Sequence, residues 1–181
     1  MQVISSLLKK MIIARAFRTE NGRIKMFGSM DWTLYSSKAL AHFFQVIGDK
    51  FGEDFLYDLS YKNGRLNAME MTKAMKIKPK GGWTTQTAIV SLLDFLGYGK
   101  IKFIRTDIGE EGHHHLVVHT IENPITEHSI EMYGKKSHAC KYWAGLLAGH
   151  GELELGVKNI KLKENTCIKN GAGYCEFESK W

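Results

Sequence analysis

All three cysteines of the chain fall after residue 139, at Cys140, Cys167 and Cys175, and their placement constrains the fold more than any other feature. An odd count does not make a disulfide framework. Thiols close in sequence, with the carboxylate of Glu164 beside them, fit a metal ion. The plainer alternative is three small buried hydrophobes, a common use of cysteine. Cys167 and Cys175 flank Gly171, Ala172 and Gly173, a turn between two predicted strands, and so short a loop closes at little entropic cost. Glu164 and Cys167 would face opposite ways on a regular strand, so both reach one ion only if the chain bends at Asn165 and Thr166. Cys140 falls in the first turn of a predicted helix, whose positive dipole end favours a thiolate. Three thiolates and a carboxylate complete a tetrahedral zinc shell, and a closed shell is the structural kind. Such a shell carries about −4 against +2, so nearby cations help, and Lys161, Lys163 and Lys169 are candidates. His138 is the alternative to Glu164 as fourth ligand.

The chain has 181 residues, 44% of them hydrophobic and 11% aromatic, enough for one globular domain with a sizeable core. Its net charge of +6 comes from scattered lysines without an Arg-rich cluster or base-stacking motif, which argues against nucleic acid. Val3, Ile4, Leu7, Leu8, Met11 and Ile12 recur at helical spacing, so residues 1–20 are predicted to hold an N-terminal helix that packs on the body or on a second subunit. Residues 21–181 then form a single domain. No run reaches the roughly 18 apolar residues a membrane span needs. The N-terminus lacks the order of a signal peptide, and a cytoplasmic location is expected.

Along the domain, short strands are predicted at Arg23–Phe27 and Trp32–Tyr35, then a helix over Ser37–Lys50. A helix around Phe55, Leu56 and Leu59 is expected to break at Asn63 and Gly64, with another over Leu66–Ile77. Trp83–Leu96 reads as a helix, and Lys100–Ile108 with His113–Ile121 as a hairpin. Asn123 and Pro124 end that hairpin. Ser137–Gly149 reads as a helix, Glu152–Lys163 as a kinked strand, and Tyr174–Phe177 as the start of a last strand. The sum is an α+β fold, an antiparallel sheet with helices packed on it.

The run His113, His114, His115 lies on a predicted strand, with His119 on the same face as His113 and His115. Alternate facing keeps the three from sharing one ion, which leaves a ligand-lining or surface role ahead of a metal role.

Cys140-Lys-Tyr-Trp-Ala-Gly145-Leu-Leu-Ala-Gly149, then Glu164-x-x-Cys167, then Gly171-x-Gly-Tyr-Cys175-Glu-Phe177, resembles the signature of the 4-vinyl reductase domain family. Asn123-Pro-Ile-Thr-Glu-His-Ser129 resembles the strand-end segment that precedes it there. Related domains are the aromatic-sensing modules of phenol- and xylene-responsive activators and, more remotely, the ligand-binding fold of nitric-oxide signalling and Golgi transport. The match spans about residues 115–178. It implies zinc on Cys140, Glu164, Cys167 and Cys175, choosing Glu164 over His138. It also implies a domain, often dimeric, enclosing a mostly apolar pocket. Gly145 and Gly149, four apart on a helix, let another backbone approach closely; the plainer reading is that one packs and the other caps.

The function expected is a binding or sensor domain for a small hydrophobic or aromatic molecule, with structural zinc and a homodimeric state. Trp83, Phe103, His119 and Trp143 are candidate pocket residues, each also readable as plain core. An enzyme or accessory protein of tetrapyrrole or aromatic metabolism is the alternative, and a protein-interaction scaffold a third. No nucleotide-binding fingerprint supplies hydride, so reductase activity does not follow from the family name.

Overall fold

The computed structural model of the chain describes residues 17–21, 23–27, 30–76, 83–109 and 114–180. The apolar repeat between Val3 and Ile12 lies outside them. The last part of the segment assigned to an N-terminal helix is a strand instead. Phe17–Glu20 (β1) pairs antiparallel with Arg23–Met26 (β2), which pairs with Met30–Trp32 (β3). The predicted second strand is thus shifted toward the N-terminus, ending at Trp32.

Ser36 caps the first helix, α1 (Ser37–Phe51), by accepting the Ala39 N–H at 3.1 Å. Gly52, at φ 89°, ends it. The next helix, α2 (Glu53–Met75), runs unbroken through Asn63 and Gly64, where sequence reading placed a break. The reason is tertiary. A Cβ at position 64 would overlap the Leu146 carbonyl oxygen, so the glycine, which costs a helix about 1 kcal/mol, permits a backbone contact. Helix α3 (Trp83–Phe95) follows, then β4 (Lys100–Ile108) and β5 (His114–Ile121) as the expected hairpin.

Asn123 does more than end that hairpin. Its Oδ1 accepts the Thr126 N–H at 2.9 Å and its Nδ2 donates to the Tyr98 carbonyl at 2.7 Å, starting α4 (Pro124–Tyr133). Sequence reading contained no helix there, although Asn followed by Pro is an N-cap and N1 pair. Helix α5 (Ala139–Leu155) runs past Gly149 to a left-handed cap at Gly156 and absorbs the start of the predicted strand. The apparent alternation of Leu153, Leu155 and Val157 misled because Glu154, between the leucines, is the buried residue. Of the predicted strand only Lys163 is strand, where it opens β6 (Lys163–Thr166), followed by β7 (Cys175–Lys180).

Strands β4, β5, β7 and β6, in that order, make an antiparallel sheet. Leu116, Val118 and Thr120 of β5 and Cys175, Phe177 and Ser179 of β7 are buried on one side. Leu116, Val118, Cys175 and Phe177 join one core with Leu56, Met71, Ile89, Leu92 and Trp143 from the helices. Among the described residues no helix is long and apolar enough to cross a membrane.

Candidate metal centre

Three separate elements deliver the thiols. Cys140 is the second residue of α5, at the end where the helix dipole favours negative charge. Cys167 directly follows β6, whose pairing with β7 is irregular between Glu164 and Thr166, the bend that the spacing requires. Cys175 opens β7 opposite Thr120. Gly171, at φ 88°, takes the left-handed turn between the last two.

The sulfurs converge. Cys140 Sγ lies 2.9 Å from Cys167 Sγ and 3.6 Å from Cys175 Sγ, and the latter two are 3.3 Å apart. None is in a disulfide, whose bond is about 2.05 Å. All three residues are at most 2% exposed. Three thiols this close share protons unequally. Hydrogen bonds from Cys140 and Cys167 lower the Cys175 thiol to about 4. Its hydrogen bonds to Cys167 and Cys175, together with burial, push Cys140 far up. At Cys167 the bond with Cys140 lowers the thiol, but the bond with Cys175 and burial outweigh it, for a net rise. The cluster therefore concentrates negative charge in a buried place, which suits a thiophilic cation.

Glu164 borders the cluster without entering the group of three sulfurs that lie within 4.8 Å of one another. Burial first, then the neighbouring Cys167, push its carboxyl up to about 7. Lys169 Nζ is 3.4 Å from its Oε2, so of the three lysines considered, Lys169 stands at the site. Lys161 and Lys163 instead line a surface cleft of about 420 Å³ with Asn165, Glu178 and Lys180. His138 is engaged elsewhere, its Nδ1 3.0 Å from Glu53 Oε1 and its Nε2 3.0 Å from Asp49 Oδ1. It ties α5 to α1 and α2 and is not a partner of the sulfurs.

The pocket candidates do not converge in the same way. Trp143 is fully buried, edge-on to Tyr98 and Tyr142 with ring centroids 5.8 Å away in each case. Phe103 packs on the core, opposite Val118. His119 lies on the other face of the sheet, 2.7 Å from Glu176 Oε2 and stacked on Tyr174. Trp83 opens α3, but its side chain lies outside the described residues. His115 shares the outer face with His119, as alternation requires, and pairs with Glu178 at 2.7 Å; His113 lies outside the described residues. The carboxylates on β7 were not identified from sequence, although Glu176 and Glu178 recur at strand spacing. Also missed were His150 and Glu154, a buried pair whose i, i+4 spacing was legible.

No family model matches the sequence, and no curated relative does. Solved structures do match. The chain is similar to the phenol-responsive sensory domain of the transcription activator PoxR, solved with phenol, at 20% identity and a TM-score of 0.71 over 93% of this chain and 86% of that one. It is also similar to a trafficking protein particle complex subunit 3 from Naegleria fowleri, covalently bound to palmitic acid. That match has 15% identity and a TM-score of 0.54 over 80% of this chain and 93% of the other. At such identities the likeness establishes the fold alone, an α+β architecture of antiparallel sheet and packed helices.

Proposed function

We propose that the chain is a cytoplasmic binding domain for a small hydrophobic or aromatic molecule, with one structural zinc held by Cys140, Cys167, Cys175 and Glu164. The observation that carries the metal assignment is the meeting of three buried sulfurs from α5, the end of β6 and the start of β7. A zinc–sulfur distance of about 2.3 Å puts tetrahedral sulfurs about 3.8 Å apart, so the cluster needs only a slight spread to receive the ion. Glu164 supplies the fourth ligand by turning from Lys169, and a closed shell of this kind staples the last two strands to α5. Unbonded thiols fit a reducing compartment.

Ligand binding is supported by the fold, since the two similar structures hold phenol and palmitic acid. The resemblance of residues 115–178 to the 4-vinyl reductase signature supports the same reading and a homodimeric state, with no reductase activity implied. The test is native mass spectrometry of the full chain as purified. One zinc per chain and an apolar molecule released on denaturation are expected. A chain that carries neither, and gains no thermal stability from added zinc or small aromatics, would contradict the proposal.

A further inference from the structure

A cleft of about 360 Å³ opens between β3, α2 and α5, apart from the thiol cluster and within the size range of small-molecule sites. Its floor is apolar. Tyr142 and Leu146, one turn apart on α5, line it, and the Tyr142 ring is stacked on Phe44 with centroids 3.6 Å apart. Trp32 of β3 lines the opposite side. The α2 wall is held close to this floor, because the backbone at Gly64 meets the Leu146 carbonyl. Along that wall Asn63, Leu66, Asn67 and Glu70 stand at i, i+3, i+4 and i+7, the spacing that gathers four side chains on one helix face, and all four line the cleft. Leu66 is 58% exposed, so part of the apolar lining is open to solvent. The cleft thus joins an apolar floor to a polar row on one wall.

Charge decides what such a cleft accepts. Two carboxylates border it, and they differ. Asp31 is matched from β2 by Lys25 at 2.6 Å and Arg23 at 3.3 Å. Glu70 has no ion-pair or hydrogen-bond partner among the described residues, and neither do the carboxamides of Asn63 and Asn67. Asn67 and Glu70, three apart, are neighbours on the helix surface, so a carboxylate and a carboxamide oxygen can accept N–H bonds from one nitrogen. An ammonium group supplies those donors and the charge that Glu70 lacks. An anion is repelled there, a hydrocarbon leaves the polar row unused, and an alcohol donates a hydrogen bond without the attraction of opposite charges.

We propose that this cleft binds a small organic cation, a protonated amine on an apolar or aromatic body, with the nitrogen at Glu70 and Asn67 and the body against Trp32, Tyr142 and Leu146. This rests on the ligand-binding reading above and gives it a place and a charge. The full chain is titrated calorimetrically at neutral pH with phenethylamine and with phenethyl alcohol, which share ring and linker and differ in the charged group. The amine should bind about 10-fold tighter, the low end for a hydrogen bond between charged groups. Glu70→Gln removes the charge at an exposed position and should bring the amine down to the affinity of the alcohol, with the alcohol unchanged. Glu127→Gln, an exposed carboxylate on α4 that does not line the cleft, should leave the preference intact. Equal affinities in the wild type, binding of neither probe, or a preference that survives Glu70→Gln would overturn the assignment. So would an equal loss in Glu127→Gln, which would trace the preference to the overall charge of the chain. The ligand-domain reading is judged separately, by whether the purified chain releases an apolar molecule in native mass spectrometry.

Discussion

Cys167 is where the requirements of the proposed metal centre concentrate. It sits just beyond a strand irregularity, is fully buried, and touches both other sulfurs. Serine at this position keeps the size but offers a hydroxyl that stays protonated and binds zinc poorly. Because structural zinc contributes folding free energy directly, Cys167→Ser should release the metal and cost on the order of 3 kcal/mol or more. For a chain of this length that is a fall in Tm of roughly 6–12 °C, readable by calorimetry beside metal analysis. Full zinc content with an unchanged Tm would remove Cys167 from the ligand set. Glu164 differs from the thiols: it stands at the rim beside Lys169, so its loss should weaken zinc without scattering the three sulfurs.

At the scale of elements, the packing of α2 on α5 depends on glycines. A Cβ at Gly145 would overlap the Tyr57 carbonyl and the Ser60 hydroxyl, and one at Gly149 the Tyr61 carbonyl, all on α2. Gly149→Ala should therefore force the helices apart and destabilise by about 1–3 kcal/mol. Gly173→Ala, with nothing within 4 Å of the added methyl, should leave Tm unchanged. Equal melting of the two variants would show that the helices do not meet as described. These glycines also show what was legible beforehand. The spacing of Gly145 and Gly149 announced a close approach, and both pack while Gly156 caps. Gly64 announced a break because its partner, Leu146, is distant in sequence and invisible to local reading. The thiol cluster was readable because the turn and the bend that bring the cysteines together are written in Gly171 and in Asn165 with Thr166. The spacing of His150 and Glu154 on α5 was legible but their burial was not, since it depends on the helix continuing where alternating leucines suggested a strand. Phe103 and His119 were read together as pocket residues, yet they fall on opposite sides of the sheet, which depends on register.

For the whole molecule, the two faces of the sheet behave differently toward acid. On the outer face Lys180 first, then Asn165 and His115, hold the Glu178 carboxyl down at about 2, below its ordinary 4.5. A carboxyl depressed on folding contributes stability that is fully present above its unfolded value and disappears as pH falls through its folded one. Glu178→Gln should thus be less stable than wild type at pH 6, with the gap closing between about pH 4.5 and 2 in denaturant titrations. A gap that does not change with pH would mean the network stores no charge-dependent stability. The inner face meets the helices and the thiol cluster, and there the account turns on what the sulfurs hold. X-ray absorption at the zinc edge of the full chain tests it most directly. The account predicts one zinc per chain with three sulfurs at about 2.3 Å and one oxygen at about 2.0–2.2 Å. A chain that binds no stoichiometric zinc, or a spectrum with fewer than three sulfur ligands, would contradict it.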